Sequence, residues 1–106
     1  MTDPDGVTVA YFKRILWYVL AGTRGGLMRI KIIGLIEERP YNANQLKKKL
    51  DVDYKTIQHH LKVLIENRIL TTSEEKKYGA VYFLSPMIEQ NKEIIDEIRS
   101  KLGKTK

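Results

Sequence analysis

Long one-sided apolar runs and short β-prone runs share this chain, and glycine, proline and charged turns divide them. Val7 to Leu20 is apolar on most sides, through Val9, Phe12, Ile15, Leu16, Trp17, Val19 and Leu20, which predicts a helix buried against something. Pro4 and Gly6 close a short polar leader before it. Gly22-Thr23-Arg24-Gly25-Gly26 reads as a break, because three glycines in five residues sit badly inside a helix. A second helix is expected over about Leu27–Arg39, with Ile30, Ile33 and Ile36 or Leu35 inward. Pro40 stops it, since the residue before a proline is pushed out of helical geometry.

Two shorter helices follow closely. Asn42 with Gln45 three residues later makes a capping-box pattern, and Leu46 and Leu50 form the inner face of the helix it opens. Asp51-Val52-Asp53 is a turn, and Asp53 is a suitable N-cap for a helix from Tyr54 to about Asn67. Two helices joined so tightly form a helix-turn-helix. Ile69–Ser73 and Val81–Leu84 are β-prone runs around a charged tip ending in Gly79, as in a hairpin. Ser85-Pro86 then starts a last helix that is expected to run to about Leu102. The expected fold is mostly α with a β-hairpin wing: a winged helix-turn-helix flanked by N- and C-terminal dimerisation helices. It is one domain over 1–106, with an N-terminal helix at 7–21, a winged-helix core at 27–84 and a C-terminal helix at 85–102.

The helix from Tyr54 carries the most specific pattern. At about 100° per residue, Ile57, Leu61 and Leu64 share one side, with His60 at its edge as a core-edge histidine. Lys55, Gln58, His59 and Lys62 share the other, and Tyr54 and Thr56 flank them. Amide, imidazole, ammonium and hydroxyl groups on one face are what base edges and phosphates in a major groove require. A solvated polar face is the plainer reading of such a helix, and the hairpin and capped turn beside it favour DNA. Lys47, among Lys47-Lys48-Lys49, and Lys76 and Lys77 at the hairpin tip are candidate phosphate contacts, with Arg24 and Arg29 as weaker ones. Glu74 and Glu75 weaken the case for the tip.

Charge supports that placement. The chain carries 19 Lys and Arg against 13 Asp and Glu, a net +6, which by itself only permits a polyanionic partner. Residues 41–68 hold six basic and three acidic groups, so half the excess sits in the helix-turn-helix. No cysteine is present, which excludes a disulfide framework, a thiolate metal site and a cysteine nucleophile. Adjacent His59 and His60 point about 100° apart and share a metal poorly, so neither a metal nor another cofactor is expected. Paired metal carboxylates, a Walker motif and a nucleophile elbow are all missing, and the chain reads as a non-enzyme. The longest apolar stretch is broken by Lys13-Arg14 and is too short to span a bilayer, and acidic Asp3 and Asp5 precede it. A cytoplasmic protein without a membrane partner is expected.

The run from Asn44-Gln45-Leu46 to Arg68-Ile69-Leu70, above all His59-His60-Leu61-Lys62-Val63-Leu64, resembles the winged-helix core of ArsR-type transcription regulators. Leu20–Gly26 and Tyr78–Pro86 look like an archaeal subgroup of that family. The resemblance implies a homodimer on double-stranded DNA, with Tyr54–Asn67 as recognition helix and the hairpin as wing; the subgroup implies control of archaellum genes. The chain departs from the family in having Arg68 where a glycine often ends the recognition helix, and in missing the Cys, His and Asp clusters of metal-sensing members.

Dimerisation has its own signal. Met87, Ile88, Asn91, Ile94, Ile95, Ile98 and Leu102 fall within about 120° on the last helix. That face folds onto its own domain or pairs with a second copy through Ile88, Ile95, Ile98 and Leu102, with Asn91 fixing register and Phe12 and Trp17 adding surface. A two-fold dimer would set its recognition helices ~34 Å apart on a pseudo-palindrome. The alternative is a winged-helix adaptor in the transcription machinery, with basal transcription factors as partners; RNA binding is a third reading.

Overall fold

A computed structural model describes residues 7–73 and 79–103. Along them run α1 (Val7–Ala21), α2 (Gly26–Glu38), β1 (Tyr41–Asn42), α3 (Ala43–Leu50), α4 (Tyr54–Glu66), β2 (Leu70–Thr72), β3 (Val81–Leu84), α5 (Pro86–Gln90) and α6 (Lys92–Gly103). The mostly helical winged helix-turn-helix expected from the sequence forms.

Local chemistry sets the boundaries. Asn42 Oδ1 accepts from the Gln45 N–H at 2.8 Å while Gln45 Oε1 accepts from the Asn42 N–H at 2.9 Å, a reciprocal cap that opens α3. Asp53 Oδ1 accepts from the Thr56 N–H at 2.9 Å and opens α4. That hydrogen bonding from Thr56, with Lys55 and Lys47 adding less, holds the Asp53 carboxyl below its usual range. α4 closes with Arg68 N–H on Ile65 O and Ile69 N–H on Leu64 O, and Arg68 takes the left-handed conformation at φ 60°. This is a Schellman ending with arginine where glycine is usual.

Three differences from the sequence-based expectations have physical causes. The sheet has a third strand: β1 pairs antiparallel with β3 (Tyr41↔Tyr82), giving the order β1-β3-β2. Two residues are too short to show a period. In α2 the buried isoleucines are Ile32, Ile33 and Ile36, whereas Ile30 and Leu35 are half-buried. This helix is apolar nearly all round, so its pattern names no face. The last helix is not continuous. Asn91 leaves helical geometry at φ −134°, ψ 39°, and its Nδ2 donates to Met87 O at 2.9 Å, so the side chain competes with the ladder and splits α5 from α6.

Leu16 and Leu20 of α1, Ile32 and Ile33 of α2, Leu46, Ile57 and Leu64 of the helix-turn-helix, and Ile88, Ile95 and Ile98 of α5 and α6 make one fully buried core. The facing pair Leu70 and Leu84 ties the sheet to it. α1 packs against α2 and α6, with a Lys13–Glu97 ion pair at 3.5 Å across the α1–α6 contact and Arg99–Glu37 at 3.1 Å from α6 to α2. The glycine-rich break is a close approach: a Cβ on Gly26 would run into the Leu20 carbonyl oxygen. No helix among the described residues is long and apolar enough to cross a membrane.

Candidate nucleic-acid interface

α4 is held from behind and polar in front. Ile57, Leu61 and Leu64 are buried, and α3 packs across its base. On the other side Tyr54, Lys55, Gln58, His59 and Lys62 are exposed and Thr56 is half-buried at the N-terminal end. Five of the six residues of this helix expected to face DNA are therefore exposed, with Lys55, Gln58, His59 and Lys62 opposite the buried side. Lys62 lies 4.0 Å from Glu66 in an exposed i,i+4 pair, too weak to withdraw the ammonium from another partner. Of the lysines on α3, Lys48 and Lys49 are exposed and Lys47 is half-buried. Lys76 and Lys77 lie outside the described residues, although the strands that carry the wing tip, β2 and β3, are described and paired.

Behind this face lies a buried polar joint that the sequence did not announce. Arg29 is only 6% exposed, so the expectation of a phosphate contact on the DNA-facing surface is corrected: its Nε and Nη1 donors are taken up inside the protein. Arg29 Nε donates to His60 Nδ1 at 3.1 Å, and Nη1 donates to Val19 O and Thr23 Oγ1, both at 2.9 Å. His60, 7% exposed, is the core-edge histidine expected, and an accepting Nδ1 requires the ring to be neutral there. Burial pushes its pKa down, with the charges of Arg29 and His59 adding to the shift. Gly25 makes the joint possible, since a Cβ there would lie 2.6 Å from His60 Cε1 and 2.8 Å from Arg29 Nη2. Within the sequence, Arg29 and His60 are 31 residues apart, and no periodicity connects them. The two imidazole rings are tilted by 58° with centroids 5.4 Å apart. Among the described residues no group of three or more His, Asp or Glu is placed to hold a metal ion.

The residues expected at a dimer seam divide. Phe12, Ile88, Ile95 and Ile98 are buried within their own chain, and Asn91 bonds Met87 O of its own chain, whereas Trp17 and Leu102 are half-buried. Most of the apolar stripe is thus packed on α1 and the core. What stays open is a cleft of about 840 Å³ between α1, the end of α4, β2 and α5, with Val9, Ile65, Thr71, Pro86 and Met87 among its walls.

Residues 28–72, from α2 through β2, match the family model described as bacterial regulatory protein, arsR family. No curated protein matches the chain in sequence. Among solved structures, the transcriptional repressor BigR from Xylella fastidiosa is similar over 94% of this chain and 92% of its own, at 20% identity and a TM-score of 0.63. HlyU from Vibrio cholerae is similar over 85% of this chain and 88% of its own, at 17% identity and a TM-score of 0.60. Rv0081 from M. tuberculosis is similar over 98% and 97%, at 16% identity and a TM-score of 0.65. At these identities the likeness carries the fold, a winged helix shared with transcription regulators.

Proposed function

We propose that this chain, with an ArsR-type helix-turn-helix at its centre, is a homodimeric, sequence-specific regulator that binds double-stranded DNA. The carrying observation is the surface of α4, where Lys55, Gln58, His59 and Lys62 stand exposed on a helix anchored through Ile57, Leu61 and Leu64. In the major groove, Gln58 is suited to an adenine edge and Lys55 or Lys62 to guanine or phosphate. The wing, with Lys76 and Lys77, is assigned to the flanking backbone. Two copies would meet over the open cleft beside α1, whose walls are apolar enough to reward covering. The resemblance of Leu20–Gly26 and Tyr78–Pro86 to an archaeal subgroup extends the proposal to control of archaellum genes.

Gel-shift titration against an archaellum upstream region, with scrambled competitor at ~150 mM salt, tests this. The specific site should win by ~10³ or more. Equal affinity for both sequences overturns specific recognition. Exposed tyrosines on α1 favour a second reading, a monomeric adaptor that meets basal transcription factors through that helix. Native mass separates the two: a dimer is expected, and a monomer favours the adaptor.

A further inference from the structure

A second cleft, of about 570 Å³, opens between α1 and α4 on the other side of Tyr11. Its size falls in the range of small-molecule sites. Ile15 and Val63 give it an apolar floor. Tyr11, Arg14 and Tyr18 follow one another along one face of α1 at spacings of three and four, and all three line the cleft. The tyrosines are 63% and 66% exposed, an unusual degree for two large rings on one helix face. No residue that lines the cleft is acidic.

Arg29 is part of the same wall. Its guanidinium is buried, yet its partners are a carbonyl, a hydroxyl and a neutral imidazole, and no carboxylate pairs with it among the described residues. Nη2 has no hydrogen-bond acceptor among them either. A buried cation without an anion is costly, and Nη2 keeps two N–H donors for which a carboxylate oxygen is an acceptor that also balances the charge. Arg14, exposed and also lining the cleft, adds a second cation that has no carboxylate partner among the described residues.

We propose that the α1–α4 cleft binds a small aromatic carboxylate, with its charge held by Arg29 and Arg14 and its ring laid against Tyr11 and Tyr18. The planar apolar body is argued from the tyrosine pair over the Ile15–Val63 floor, and the acid group from the two unpaired cations. The site does not depend on DNA. One consequence does rest on the DNA-binding reading: His59 belongs both to the cleft wall and to the outward face of α4, so an occupant would press on the reading surface.

Isothermal calorimetry on the DNA-free protein with 2-naphthoate, its neutral alcohol 2-naphthalenemethanol, and inorganic phosphate tests the site alone. Saturable binding of 2-naphthoate at one per chain is expected, with the alcohol and phosphate each at least tenfold weaker. Arg14→Gln, which removes an exposed charge and leaves the core intact, should weaken 2-naphthoate about fivefold, and Tyr18→Ala should weaken it further while leaving phosphate unchanged. Arg29→Lys, which keeps the charge and changes the donor geometry, should reduce the preference for acid over alcohol in protein shown by circular dichroism to be folded. Equal binding of acid and alcohol, unaltered binding by Arg14→Gln, or no saturable heat from any probe overturns the proposal. If the cleft binds 2-naphthoate and specific DNA binding is absent, the site stands and only its regulatory consequence falls.

Discussion

Replacing Arg68 with glycine should make this protein more stable. Arg68 occupies the left-handed position of a Schellman ending, at φ 60°, between the Ile65 and Leu64 carbonyls that close α4. A residue with a Cβ costs about 1–2 kcal/mol in that conformation. Glycine removes the clash and returns about 0.5–1 kcal/mol through the greater freedom of its unfolded chain. The side chain offers little against this, because it is exposed and forms no ion pair or hydrogen bond among the described residues. The net gain is therefore ~0.5–1 kcal/mol, or a rise of about 3–6 °C in Tm for a domain of this size. Thermal unfolding by circular dichroism reads it directly. Arg68→Ala is the control, since alanine keeps the Cβ and should leave Tm nearly where it was. A Tm for Arg68→Gly at or below the parent, or an equal rise for Arg68→Ala, would refute the backbone explanation.

Stability should rise with pH between the depressed folded pKa of His60 and about 6.5, be complete above that, and fall as His60 becomes protonated and loses its bond from Arg29 Nε. Urea midpoints at pH 5.5 and 7.5 measure this, and His60→Gln should flatten the difference. Gly25→Ala should break the same joint, because its Cβ would meet both His60 and Arg29, and a melting temperature unchanged by it would contradict the packing. Ile98→Ala should cost about 2–5 kcal/mol at every protein concentration, because Ile98 is buried in its own chain; a loss that fades at high concentration would place it at an interface instead. Joint replacement of Gln58 and His59 by alanine should relax sequence preference in a binding-site selection, by about 1–3 kcal/mol for each base no longer read, whereas Lys76→Ala should weaken all DNA alike and reduce the salt slope by about one.

What could be read from the chain followed the range of each interaction. Asn42 with Gln45, Asp53 with Thr56, and Ser85 before Pro86 act over three residues or fewer, so the openings of α3, α4 and α5 were legible. The polar face of α4 was legible because polar and apolar positions there separate cleanly. α2 was not, since Ile30, Ile32, Ile33, Leu35 and Ile36 surround the helix and only packing selects among them. The Arg29–His60 joint depends on two helices meeting, and the Gly25-Gly26 pair was its one local sign: the glycines mark close approach as much as a break. Asn91 shows a subtler failure. Its place on an apolar stripe suggested register between two copies, whereas the amide turned to its own backbone and cut the helix.

The clasp between α1 and α6 has a consequence for how the chain comes into being. On the ribosome, α1 emerges first and α6 last among these elements, and everything from Ala21 to Lys92 must be made in between. Until then Phe12 and Leu16 stand without the neighbour that completes their cover. The central helix-turn-helix, built from contacts close in sequence, can form in the meantime. A nascent chain would therefore carry a finished helix-turn-helix and a sticky first helix at once, the interval in which aggregation or premature pairing with another chain is most favoured.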